Sequence, residues 1–94
     1  MTTAEPIVFL IGDIDLEGAG SGRTDVLAAI DANPGATITI DLSLVSFLDA
    51  AGLSLLVSAL RRARSSGGSV VLANIPPRVS RVLDVTGFDR PFGI

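Results

Sequence analysis

The sequence predicts a single α/β domain, and three observations carry that reading. Short β-branched runs alternate three times with stretches of helical period. Breakers fall between them, at Asn33-Pro34-Gly35, Gly67-Gly68 and Gly87. The chain has 94 residues, 48% of them apolar, which suffices for one core and is too short for two domains. Crossover helices make the strands they join parallel, so the expected architecture is an α/β sheet of parallel neighbours with helices packed on it.

The run Ile7-Val8-Phe9-Leu10-Ile11, between Pro6 and Gly12, reads as a buried first strand. The Gly-rich stretch from Leu16 to Gly22 reads as loop, after which Ser21 or Thr24 caps a helix to about Ala32 that shows Val26, Leu27 and Ile30 on one face. A second strand follows over 36–42. Thr37 and Thr39 alternate there with Ile38 and Ile40, so helices are expected mainly on one side of the sheet. From Ala50 or Ala51 to about Ser66 the period becomes helical, with Leu53, Leu56, Val57, Leu60 and Ala63 at spacings of three and four. Arg61, Arg62 and Arg64 near its end complement the helix dipole, and Gly67-Gly68 stops it. Residues 69–74 read as a third strand. Pro76-Pro77 opens a last helix with Val79, Val82 and Leu83 as its stripe, and residues 88–94 leave room only for an edge segment.

Composition removes most enzyme classes. The chain has no Cys, His, Lys, Trp or Tyr, and all seven of its cations are arginines. The usual ligands of zinc and iron–sulfur sites, the base of a Ser-His-Asp triad and the lysine of a phosphate loop are all missing. No metal, no cofactor and no catalysis are therefore expected. A net charge of −3, with no basic stripe and no stacking aromatics beside the arginines, argues against nucleic acid as a direct partner. The longest nearly apolar stretch, 47–60, is shorter than the about 20 residues a membrane-spanning helix needs. No cation precedes the first apolar run, as a signal peptide would require, so a cytoplasmic protein is expected.

Asp13, Asp15, Asp41 and Asp49 fall at predicted strand ends or loops, where ligands of parallel sheets collect. They allow a phosphoaspartyl-receiver reading, but that chemistry needs a cation on the phosphoryl oxygens and no lysine is available. For Asp41 and Asp49 turn and helix-cap chemistry is the simpler role, and Asp49 stands directly before the long helix. Gly18-Ala-Gly20-Ser-Gly22 matches no spaced phosphate motif and reads as a turn.

Four segments in order carry a more specific signal. They are Gly12-Asp-Ile-Asp15-Leu16, then Ile40 through Asp49-Ala50-Ala51-Gly52-Leu53, then Gly67 through Asn74, then Arg78 through Gly87-Phe88. Together, over about residues 7–94, they resemble the STAS domain family of the anti-sigma factor antagonist type. The resemblance implies a binding surface around the start of the long helix, with Asp15, Asp49, Ala50, Ala51, Gly52 and Ser54 as partner-binding candidates. It implies a non-catalytic module that sequesters an anti-sigma factor of the serine-kinase type and so frees a sigma factor for transcription. In regulatory members a Ser or Thr immediately before the motif glycine accepts phosphate and switches the module off. Here that position is Ala51, which has no hydroxyl. A permanently active antagonist, control elsewhere, or recruitment to another complex all fit. Ser54, one turn on, is a weak alternative acceptor because helical backbone fits a kinase cleft poorly. Asp15 matches the Asp of the family's Gly-x-Leu-Asp pattern, and a structural role as a turn cap stands equally open. Stand-alone members of the family also serve as subunits of membrane lipid-transport ABC complexes, the alternative function. The resemblance also implies a single domain over residues 1–94 with a mixed, mostly parallel sheet of four to five strands; the family normally has one more strand before Ile7, so an edge strand is expected to be shortened or missing.

Overall fold

The computed structural model describes residues 6–15 and 19–94. Among them the order is β1 (Ile7–Ile14), α1 (Ala19–Ala32), β2 (Thr37–Leu48), α2 (Ala50–Ser65), β3 (Ser69–Ala73), α3 (Pro77–Thr86) and a short 3-10 turn (Arg90–Phe92). The strands form one sheet in the order β1-β2-β3, with both pairings parallel. The α/β class and the parallel, helix-connected arrangement are as expected. The sheet has three strands among the described residues, against the four to five predicted. The extra N-terminal strand would fall on residues 1–5, outside the described residues, and the tail coils into the 3-10 turn in place of an edge segment.

The helices pack on one face. Leu10 and Ile14 of β1, Ile38, Ile40, Leu42, Val45 and Leu48 of β2, and Val70 of β3 join a single core with Val26 and Ile30 of α1 and with Leu55, Leu56 and Leu60 of α2. Val79 and Leu83 carry α3 into the same cluster. Leu55 and Leu56 are fully enclosed, and burying each such side chain contributes about 1.5–3 kcal/mol. Among the described residues the opposite face carries no helix, as the Thr37 and Thr39 alternation predicted.

Three boundaries move for identifiable reasons. The first strand continues past Gly12 to Ile14, because Gly12 takes a left-handed φ of 79° where the β1–β2 register shifts. The second strand runs on to Leu48, six residues beyond the sequence reading. Over that stretch the buried positions are Leu42, Val45 and Leu48, a spacing of three that two-residue alternation does not detect. The Gly-rich stretch is not all loop, since Ala19 to Gly22 form the first turn of α1, so Ser21 and Thr24 lie within the helix and not at its cap. A Cβ on Gly22 would lie 3.0 Å from a Leu10 methyl, so the glycine lets α1 settle closely on β1.

Asp41, 6% exposed in the middle of β2, is the buried polar residue among those described, and as the register partner of Phe9 it lies on the side of the sheet away from the core. It lies within a strand and caps no helix, which corrects that part of the sequence reading, while the bond it accepts from the N–H two residues on is the local side chain–backbone chemistry expected of Asp. One carboxylate oxygen accepts from the Ser43 N–H at 2.8 Å and the other from the Asn74 amide at 2.7 Å. Asn74 reaches it from a left-handed conformation, φ 51°, just past β3. The bonds from Ser43, then that from Asn74, hold the Asp41 carboxyl below its ordinary value of 3.8, against the opposing effect of desolvation. A depressed folded value adds stability above the unfolded one and loses it on acidification. Asp31, paired with Arg62 across α1 and α2 at 2.8 Å through two parallel bonds, acts in the same direction from the surface. The melting temperature should therefore fall as pH drops through the region below about 4. Asp41→Asn turns an amide donor toward the Asn74 donor, so it should melt lower at neutral pH and show a shallower acid decline. Thermal melts between pH 3 and 7 read both, and an unchanged slope in the variant would remove Asp41 as the cause.

Candidate functional site

The register Ile14↔Leu48 brings the ends of β1 and β2 side by side, so Asp15 and Asp49 emerge from neighbouring strands. Both are half-buried. Asp49 is the N-cap of α2. Its backbone is extended, and its Oδ1 accepts from the N–H of Ala51 at 2.8 Å and of Gly52 at 3.2 Å. The capping role predicted for this residue is thus its observed one. It also changes the chemistry of the site, because two N–H donors of the helix start are already satisfied from within. Recognition here falls mainly to side-chain surface.

Gly52 is buried in the first turn, tight against the end of β1. A Cβ there would stand 2.5 Å from the Ile14 carbonyl oxygen and would overlap the Leu48 side chain. No L-residue fits without moving the backbone, which supplies a packing reason for glycine at this position. Ala50 is exposed, Ala51 half-buried and Ser54 exposed one turn on. Small side chains at 50 and 51 leave the helix start accessible. All six sequence-predicted residues therefore meet at one end of the sheet.

Of the other acidic candidates, Asp13 lies exposed in register with Phe47, near this end, while Asp41 is enclosed in the middle of β2. The four aspartates do not form one cluster. The sequence reading missed an extension of the surface. Ala50, Ser54, Val57 and Arg61 line an open groove along α2, bounded by Thr86 at the end of α3 and Phe88 just beyond it. Their spacing of four, three and four was the available signal, but Val57 also fits the apolar stripe with Leu53, Leu56 and Leu60, and Arg61 also fits a cation complementing the helix dipole, so Ala50 and Ser54 alone pointed to the surface.

A small parallel α/β domain, whose glycine-tight, aspartate-capped helix start presents short side chains beside a strand end, is the class this fold and site define. The chain belongs to the STAS domain family: a family model described as "Mlab, STAS domain" matches residues 1–94. It is 34% identical to the anti-sigma-B factor antagonist of Bacillus subtilis over 85% of this chain and 72% of that one. It is 30% identical to the anti-sigma F factor antagonist of Lysinibacillus sphaericus over 93% and 75% of the two chains. Its fold is similar to that of the anti-sigma factor antagonist SpoIIAA in its unphosphorylated form, with TM-score 0.76, 26% identity and coverage of 96% and 79%. An anti-sigma factor antagonist from Mycobacterium paratuberculosis gives TM-score 0.75 at 31% identity, covering 93% and 73%.

Proposed function

We propose that this chain is a non-catalytic antagonist that captures an anti-sigma factor of the serine-kinase type in the cytoplasm and so releases a sigma factor, without a phosphorylation switch at position 51. The contact surface is Asp15, Asp49, Ala50, Ala51, Gly52 and Ser54. Asp49 and Gly52 set the backbone of the helix start, Ala50 and Ser54 stand exposed on it, and Ala51 leaves the approach unobstructed. The observation that carries this reading is the exposed, capped start of α2, together with relatives that bear the antagonist name along most of this chain.

Alanine offers no oxygen for phosphoryl transfer. Incubation with a cognate kinase and ATP should leave the intact mass unchanged, whereas Ala51→Ser should gain one phosphate if the kinase still docks. Stoichiometric phosphorylation of the natural sequence, at Ser54 or elsewhere, would overturn the unswitched reading. The same absent hydroxyl also suits a permanently held subunit of a membrane lipid-transport ABC complex, the second reading. A pull-down from the native host separates the two: a histidine-kinase-like ATPase supports the first, and a transporter ATPase with its permease supports the second.

A further inference from the structure

The face of the sheet turned away from the core carries an apolar patch. Parallel partners point to the same side, so Ile7 of β1 stands beside Thr39 and Val71, and Ile11 stands beside Leu44. Phe9 lies between these rows, and Phe47 extends the patch toward the strand ends. Ile7, Phe9, Ile11, Leu44, Phe47 and Val71 are 56, 52, 69, 53, 49 and 41% exposed. Among the described residues no helix packs on this side, and its charged members are Asp13 at one end and the already bonded Asp41.

We propose that this face is a self-association surface, on which a second copy of the chain packs sheet against sheet about a two-fold axis near Phe9 and Ile11. Area and charge favour a second copy. Six side chains of this size at half exposure leave about 500 Å² of apolar surface, within the range at which a patch on a monomer is usually functional. Two such patches bury about 1,000 Å², the lower limit for a specific interface, so a weak, reversible dimer is expected. The surface is also compatible with itself. With the two-fold axis perpendicular to β1 the two β1 strands run in opposite directions, and Asp13 lies three residues from Leu10. At about 3.3 Å per residue the two Asp13 carboxylates end about 20 Å apart, roughly two Debye lengths at physiological salt. An isologous contact of this kind closes at two copies and leaves α2 free. The inference does not depend on the anti-sigma reading.

Sedimentation velocity on the 94-residue chain, from micromolar to millimolar, should show the mass rise from 9.6 kDa toward twice that value and no further. Ile11→Arg brings two guanidinium groups together at the axis, a penalty expected to raise the dissociation constant at least about 30-fold and keep the chain monomeric across the range. Phe47→Ser, on the neighbouring strand, should weaken the dimer less, by about tenfold, and serves as the readout should circular dichroism show Ile11→Arg unfolded. A wild-type chain still monomeric at millimolar concentration, growth beyond two copies, or a dimer indifferent to whichever of these variants folds would each overturn the proposal.

Discussion

Alanine at position 52 is expected to lower the melting temperature by about 10–15 °C. The added methyl meets the Ile14 carbonyl oxygen 2.5 Å away and the Leu48 side chain. Leu48 can rotate, but the carbonyl belongs to the last residue of β1 and accepts from the Asp49 N–H at 3.4 Å. Relief therefore means moving a strand end or the helix start. Overpacking of this kind costs about 1–3 kcal/mol, and the upper part of the range applies where backbone obstructs. The gain in helix propensity from glycine to alanine, at most about 1 kcal/mol, offsets only part of it. A net loss near 2 kcal/mol converts to the expected shift at about 4–8 °C per kcal/mol for a domain of this size. Gly22→Ala is the control. There the nearest atom, at 3.0 Å, is the end of a flexible Leu10 side chain, so loss and propensity gain should nearly cancel and the melt should move by only a few degrees. Equal shifts at the two positions would show that the Ile14 carbonyl does not fix the start of α2.

That contrast also marks what the sequence could and could not reveal. The long helix was legible to within a residue because its core stripe has one period, its first turn follows a capping aspartate and its end meets two glycines. Naming the candidate site residues needed only those markers and the resemblance to the STAS family. The second half of β2 was not legible, because the register shifts against β1 turn its burial from every second residue to every third. The first turn of α1 was hidden by glycines whose intrinsic preference is for turns, and tertiary packing of Gly22 on Leu10 overrides that preference. Asp41 was legible only in part. Its partners are two residues ahead in the chain and on another strand's exit, and the Asn74 contact at separation 33 leaves no local mark. The open apolar face was implied by Thr37 and Thr39, but Ile7, Phe9 and Ile11 as a continuous run read as buried on both sides.

Glutamate at position 51 is expected to abolish capture of the anti-sigma factor while leaving the domain folded. Ala51 is the second residue of α2, and its N–H is already held by Asp49 at 2.8 Å, so the substitution removes no backbone bond. A carboxylate in the first turn interacts favourably with the helix dipole by about 0.3–1 kcal/mol. The Asp49 carboxylate already sits on the Ala51 N–H, so its repulsion with a glutamate offsets part of this gain, and the glutamate extends outward away from it. Half-burial of Ala51 requires the longer side chain to turn outward, along the surface assigned to the partner. There the balance reverses, because a partner shaped for a methyl group would have to enclose an unpaired charge. That costs about 2–5 kcal/mol, a loss of affinity of roughly 30- to 5,000-fold. Calorimetry of the variant against the anti-sigma factor recovered in the pull-down, with a thermal melt of the variant alone, reads both sides of the argument. Lost binding with an unchanged melt places the partner on the start of α2. Unchanged affinity with an unchanged melt moves the partner to another face and removes the reason for assigning the missing hydroxyl of position 51 any part in control.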